Sequence, residues 1–287
     1  MILSTVVELL PGPAWNLALR WSERFRLGRV PPTPCDPGEL SDLTPARLRD
    51  ALTDVRIHAE WAVIKAEIAR FSITSKAGGV NPGDRRALYY VARHVRPRRI
   101  LEIGTHIGAS TVHLAAALRA NAAEQGPARD LTTVDVLDVN DPRIEVWKAA
   151  GSTLAPAEMV DRLGVRDSVH FVVRPSLEFL SEEGSRAFDL IFLDGDHSAP
   201  TVYRELPAAL ARTARAGLVL LHDFFPGGQP LWRDEPVIRG PWLAVQRLRR
   251  EGARFGVLPL GELPWPTKLG GSITSLAAVV RESTEAR

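Results

Sequence analysis

From residue 97 onward short apolar runs alternate with amphipathic stretches, and this alternation restricts the possible folds more than any other feature of the chain. Arg99–Ile103, Leu131–Asp135, Val169–Val173, Phe188–Leu193 and Gly217–Leu221 read as strands, being aliphatic, rich in β-branched residues and too short for a helix. Helical patterns fall between them: Ser110–Ala120, segments near Ile144–Gly151, Ala157–Leu163, Ser176–Leu180 and Ala199–Arg212, and a last one at Pro241–Glu251. Strands separated by helices predict βαβ units, hence an α/β fold whose parallel sheet is covered on both faces. Phe255–Leu260 and Ile273–Val280 follow without a helix between them, which predicts an antiparallel pair at the sheet edge.

The first part of the chain reads differently. Val30-Pro31-Pro32-Thr33-Pro34 and Asp36-Pro37-Gly38 mark a loop. Thr44-Pro45 opens a helix, with Thr44 as N-cap and proline at the first helical position. Apolar residues then recur at helical spacing from Leu48 to Phe71. Residues 1–71 are therefore expected to be an N-terminal helical extension, and 72–287 the main domain. Ser72–Asp84 is a glycine-rich loop, with Asn81 or Asp84 as cap for a helix over Arg85–Val95.

Composition excludes several classes. The single cysteine, Cys35, rules out a disulfide framework and a cysteine-rich zinc site. A net charge of +2 over 287 residues is too small for a nucleic-acid groove. No run reaches the ~18 apolar residues of a membrane span. Met1–Leu10 carries Glu8, lacks a basic leader region and runs into Pro11-Gly12-Pro13. Trp15, Leu17, Leu19 and Trp21 are expected on a packed helix, and the protein is expected in the cytoplasm, apart from membranes and nucleic acid.

In an open parallel sheet, ligands sit beyond the carboxyl ends of the strands. The first strand runs into Gly104-Thr105-His106-Ile107-Gly108-Ala109-Ser110. Gly104 permits a sharp turn and close approach of a ligand, and Gly108 lets the helix start near the strand. A dinucleotide fingerprint asks for G-x-G-x-x-G; here His106 takes the second glycine position, and its bulk argues against a pyrophosphate lying across the turn. Asp135, at the end of the second strand, can accept both hydroxyls of a ribose, with Asp138 as a fallback.

Four segments in order carry a specific resemblance: Ile100-Leu-Glu-Ile-Gly-Thr-His-Ile-Gly-Ala-Ser110, Thr133-Val-Asp135, Phe188-Asp-Leu-Ile-Phe-Leu-Asp-Gly-Asp-His197 and Leu220-Leu-His-Asp223. Over about residues 72 to 282 the chain resembles the class I S-adenosyl-L-methionine-dependent methyltransferases, and most closely small-molecule O-methyltransferases of the catechol and macrolide-sugar type. The resemblance implies a Rossmann-like, doubly wound, seven-stranded sheet with the last strand antiparallel. It implies that Glu102 orients the turn or holds the methionine ammonium. Gly104 and Thr105 backbone, with the Ser110 hydroxyl, would hold the methionine end. Asp135 would take the ribose, Arg174-Pro175-Ser176 would border the adenine, and Asp194 would face both the cofactor and the reaction.

Methyl transfer from a sulfonium is an in-line displacement, so a hydroxyl acceptor must be aligned and must lose its proton. Asp194 and Asp223 lie 29 residues apart at the ends of adjacent strands. That pair suits Mg²⁺, a Lewis acid for an alkoxide or phenolate. The family's metal site carries Asn or Asp after the last-strand acid, whereas Phe224 follows Asp223 here; a metal-free site run by His197 is the alternative. His197 stands where catechol-type enzymes keep a lysine base, and His222 is a second candidate base.

The aromatic stretches Phe224–Trp232 and Leu263–Pro266, with Lys268, are expected as walls for a ring-bearing acceptor, a phenol or a glycosylated natural product, or else as packing against a second subunit of a homodimer. Ser75–Gly79 is expected to close over the cofactor. An N-methyltransferase and a non-catalytic cofactor-binding subunit are the remaining readings. A base-flipping methyltransferase would place Asn/Asp-Pro-Pro-Tyr where Asp194-Gly-Asp-His197 stands.

Overall fold

The computed structural model describes residues 21–73, 79–126, 129–182, 187–233 and 237–282. Residues 21–28 are helical. The elements that follow are α1 (Pro45–Thr53), α2 (Val55–Ala69), α3 (Pro82–Val95), β1 (Arg99–Ile103), α4 (Ala109–Gln125), β2 (Asp130–Asp135), α5 (Val146–Ala149), α6 (Pro156–Arg162), β3 (Val169–Val173), α7 (Ser176–Leu180), β4 (Phe188–Leu193), α8 (Ala199–Ala211), β5 (Thr213–Leu221), α9 (Gly240–Arg250), β6 (Phe255–Pro259) and β7 (Ala277–Arg281). Trp15, Leu17, Leu19 and most of the Ser75–Gly79 loop lie outside the described residues.

The seven strands form one sheet in the order β3-β2-β1-β4-β5-β7-β6. The first five pair in parallel, and β7 runs antiparallel to both β5 and β6. The expected doubly wound, seven-stranded sheet is therefore present, with the final strand inserted between β5 and the edge. One core lies on each face: Val112, Met159, Phe192 and Tyr90 belong to one, and Ile191, Tyr203, Val245 and Phe255 to the other. β5 begins at Thr213, four residues before the apolar run that marked it, because a bulge after Phe188 lets Thr213 pair beyond the irregularity. β7 starts at Ala277, later than Ile273; Ile273 makes only an isolated bridge to Glu262.

The long N-terminal helix expected over Leu48–Phe71 is two helices. Asp54 breaks it: its carboxylate accepts from the backbone N–H of Arg56 and Ile57 and caps α2. That local bond competes with helix continuation, as aspartate does at N-caps. Thr44 caps α1 as expected, and Asn81 rather than Asp84 caps α3. α2 packs Ile57, Trp61, Ile64 and Ile68 into the same core as α3 and α4. Arg93, fully buried on α3, binds Glu60 of α2 at 2.8 Å and Glu124 of α4 at 2.5 Å. Further down, the backbone of Glu39 and Ser41 pairs with Ala216, Gly217 and Arg281, so this segment closes the bulged start of β5.

Candidate active site

Three backbone hydrogen bonds carry the sheet one residue past its strand ends: Gly104 N–H to Val134 C=O at 2.9 Å, Asp194 N–H to Ile103 C=O at 2.9 Å and His222 N–H to Leu193 C=O at 3.1 Å. They set Gly104, Asp194 and His222 side by side above the carboxyl edge. A cleft of about 540 Å³ opens there. Its lining includes Gly104, Thr105, Ser110, Asp135, Ser176 and Asp194, so six of the expected cofactor residues converge. Gly108 does not reach it; a Cβ there would meet Pro156 at 2.8 Å, so that glycine admits α6 rather than a close helix–strand approach. Gly104 has φ +96°, and a side chain on it would strike the Asp194 carbonyl. The glycine is thus demanded first by the β1–β4 junction.

His106 adopts φ +47°, the left-handed backbone that favours glycine. The turn therefore keeps its glycine-type shape, and only the imidazole distinguishes it from a dinucleotide turn. Asp135 holds this conformation: one carboxylate oxygen accepts from Thr105 and His106 N–H at 3.0 and 2.9 Å, the other from Leu137 N–H at 3.1 Å. Oδ2 thereby uses both of its acceptor sites and Oδ1 one of two, so one site on Oδ1 remains for a ligand. Asp138 is exposed and engaged with Asn140 of its own turn.

Glu102 is fully buried behind the turn and is absent from the cleft wall. It accepts from the Thr111 and Thr133 hydroxyls at 2.5 and 2.6 Å. Burial pushes its carboxyl up to about 7, against the pull of the Ser110, Thr111 and Thr133 hydroxyls. Its carboxylate ties α4 to β2 behind the turn, and it does not line the cleft where a methionine ammonium would lie. Ser110 shares its hydroxyl between Glu102 and the cleft.

Two buried acids near the site, one lining the cleft and one behind His222, gave no functional signal in the sequence. Glu205, mid-helix on α8, bonds the Ser176 hydroxyl and is raised to about 7 by burial. Asp84, read only as a possible cap, is 0% exposed in the first turn of α3 and lies 3.3 Å from His222 Nε2.

At the reaction end, Asp194, His197, His222 and Asp223 form one cluster. His222 Nδ1 is 2.9 Å from Asp194 and 3.5 Å from Asp223. His197 Nε2 is 3.4 Å from Asp223 and 3.8 Å from Asp194. Burial lowers the His222 pKa, but the Asp194 and Asp223 carboxylates outweigh it and hold the imidazole well above its ordinary value. Burial likewise opposes ionisation of Asp223, yet His222 and His197 keep it well below the usual carboxylate range. Asp223 sits at φ +51°, a strained backbone that turns it toward Ser275, whose hydroxyl it accepts at 3.1 Å.

The donors near enough to share an ion are Asp194, His197 and His222, all within 4.8 Å of one another. Asp223, paired with Asp194 as an expected metal ligand, stands beside this group. Mg²⁺ prefers an oxygen shell; one carboxylate with two imidazoles does not fit it well. The third donor was sought after Asp223, at Phe224, but His222 before it faces the cluster.

The expected aromatic walls are internal packing. Phe224 and Phe225 are 3% and 2% exposed and stack with Trp242 and Trp232. Trp265, 6% exposed, packs on Tyr90 and donates to the Gly83 carbonyl. Burial of these large rings turns the loop inward despite the turn residues beside them, so it does not face the cleft.

A cleft at the carboxyl ends of β1, β2 and β4, floored by a glycine turn and a strand-end carboxylate, is where an open parallel sheet takes a nucleotide ligand. A family model described as a methyltransferase domain matches residues 101–224. The catechol O-methyltransferase of Mycobacterium tuberculosis is 29% identical over 163 residues, 57% of this chain; the match spans only 61% of that relative's length. A Klebsiella pneumoniae structure with a provisional O-methyltransferase assignment aligns at a TM-score of 0.52, with 19% identity, over 91% of this chain and 96% of its own. The O-methyltransferase TomG of Streptomyces achromogenes, involved in tomaymycin synthesis and solved with S-adenosylmethionine, aligns at 0.50, with 19% identity, over 83% and 90%. Residues 101–224 thus match a methyltransferase domain, and the chain is similar to catechol O-methyltransferases over less than two thirds of its own length.

Proposed function

We propose that the protein methylates a hydroxyl of a small molecule, a phenol or a glycosylated natural product, with S-adenosylmethionine as donor. One observation carries the reading: Asp194 lines the cofactor cleft and also stands 2.9 Å from His222 Nδ1, so a single carboxylate joins the donor site to a cluster of bases. The Mycobacterium relative, named for catechol, supports a phenolic acceptor.

S-adenosylmethionine supplies a methyl already activated on a sulfonium. The chain must place and deprotonate the acceptor. Asp135 offers its remaining Oδ1 acceptor site to a ribose hydroxyl, and Ser176 with Glu205 lines the part of the cleft that would take the adenine end. Asp194 presents negative charge to the cationic donor. An acceptor hydroxyl beside His197 gives its proton to Nε2; its oxygen forms the new carbon–oxygen bond as the carbon–sulfur bond breaks and sulfur keeps the electron pair. Asp223, 3.4 Å from the same nitrogen, stabilises the imidazolium that results. A divalent cation held by this cluster would lower the acceptor's pKa as a Lewis acid.

Transfer of labelled methyl from S-adenosylmethionine to a panel of phenols, glycosides and amines tests the reading. Label recovered as a methyl ether supports it. Label found only on nitrogen, or no transfer to any acceptor while S-adenosylhomocysteine binds, would replace it with an N-methyltransferase or a non-catalytic subunit.

A further inference from the structure

Asp84 has no place in the chemistry above, yet it is completely buried and aimed at the site. It leaves the first turn of α3, held there by Asn81, whose side-chain amide donates to Asp84 Oδ2 at 2.6 Å. The same oxygen lies 3.3 Å from His222 Nε2. Its other oxygen, Oδ1, is buried without a hydrogen-bond partner. On the far side of the ring, His222 Nδ1 is also buried and makes no aligned hydrogen bond, although Asp194 Oδ1 is 2.9 Å away. His222 itself is only 9% exposed.

A buried imidazole with a carboxylate at one nitrogen and an unsatisfied second nitrogen has the form of a metal ligand with its supporting acid. Nε2–H facing Asp84 fixes the tautomer, so that an ion displacing the Nδ1 proton would find that lone pair beside Asp194. The spacing agrees. Bonds of ~2.1 Å to one ion set neighbouring donors ~3.0 Å apart in an octahedron and ~3.4 Å in a tetrahedron. His222 Nδ1 to Asp194 is 2.9 Å and His197 Nε2 to Asp194 is 3.8 Å, the range of donors that closes on an ion with small rotamer adjustments.

We propose that Asp84 is the positioning residue that holds His222 as a nitrogen ligand, and that Asp194, His197 and His222 together take a first-row transition ion such as Mn²⁺ or Zn²⁺ in preference to Mg²⁺. One carboxylate and two imidazoles form a donor set that suits such ions and gives Mg²⁺ little. The inference deepens the proposed O-methyltransferase reading: with the ion bound, His197 Nε2 would be a ligand, and the ion, in place of proton transfer to that nitrogen, would lower the acceptor's pKa; its test is independent of turnover.

The experiment uses the full chain stripped with a chelator and reloaded with Mn²⁺. Pulsed electron paramagnetic resonance of the bound ion should show coupling to imidazole nitrogen, and His222→Ala should remove part of it. Excess Mg²⁺ should not displace Mn²⁺. Calorimetry of Asp84→Asn should show Mn²⁺ affinity reduced about 10- to 100-fold, with affinity for S-adenosylhomocysteine unchanged, which reports that the variant is folded. An oxygen-only spectrum, ready displacement by Mg²⁺, or no Mn²⁺ binding overturns the choice of ion. Unchanged Mn²⁺ affinity in Asp84→Asn overturns the role of Asp84; should that variant fail to fold, the nitrogen coupling in the parent still decides the ligand set. Mn²⁺ binding without any binding of S-adenosylhomocysteine would sink the methyltransferase reading and leave the metal site standing.

Discussion

The backbone carbonyl of Asp194 occupies the space that a side chain on Gly104 would need, so the turn after β1 and the end of β4 are built against each other. Asp194 and the turn, which both line the cleft, are thereby one rigid unit. Gly104→Ala must push Asp194 away and also hold alanine at φ +96°. The strained backbone alone costs about 1–3 kcal/mol, and the clash adds to it. Urea unfolding should show the loss, and binding of S-adenosylhomocysteine should disappear with it.

His197 is the base nearest the open cleft, with its side chain 31% exposed where His222 is 10%. His197→Ala should lower kcat by about 10²–10⁴-fold and leave the affinity for S-adenosylhomocysteine within about twofold, since no cofactor contact is assigned to it. Stopped-flow and equilibrium titration separate the two. Loss of cofactor affinity with kcat intact would reverse the assignment.

Glu205 sets a pH dependence of stability. Burial raises its folded-state pKa to about 7 from an ordinary value of 4.5. Below the ordinary value the carboxyl is protonated in both states and costs nothing. Between those values the unfolded chain releases the proton and the folded chain keeps it, so stability falls as pH rises and levels off above about 7. Glu205→Gln removes this dependence. Its Tm relative to the parent should therefore be higher at pH 8 than at pH 5, by differential scanning calorimetry. An equal difference at both pH values would mean that Glu205 ionises normally.

Arg93 links three helices through Glu60, Glu124 and the Asn121 side chain while being fully buried. Arg93→Ala leaves a cavity and two carboxylates, Glu60 and Glu124, held by the partly exposed Arg56 and Arg96. A loss of about 2–4 kcal/mol in chemical denaturation is expected. Glu124→Ala should cost less, because Glu124 is 38% exposed and water can replace its bond.

The sheet was legible because each buried strand had to be a short aliphatic run, and Pro, Gly and Asp had to punctuate the turns between them. Strand ends then located Gly104, Asp135, Asp194 and Asp223 before any coordinates. What the sequence hid was side-chain direction. Asp54 reads as one more polar residue on an amphipathic helix, yet its carboxylate ends one helix and starts the next. Phe224, Phe225 and Trp265 read as an exposed wall because their neighbours are turn residues, but burial of large rings outweighs the loop character around them. Asp84 and Glu205 sit in helices where a charge ordinarily faces water, and only the tertiary fold turns them inward. His106 shows the opposite case: a bulky residue suggested a different turn, while its backbone takes the glycine conformation.

Calorimetric titration of the purified chain with S-adenosylhomocysteine and with NAD⁺ tests the cleft most directly. One-to-one binding of S-adenosylhomocysteine, abolished by Gly104→Ala and weakened by Asp135→Ala, with no heat from NAD⁺, is the predicted result. Saturable binding of NAD⁺ with none of S-adenosylhomocysteine would contradict the account.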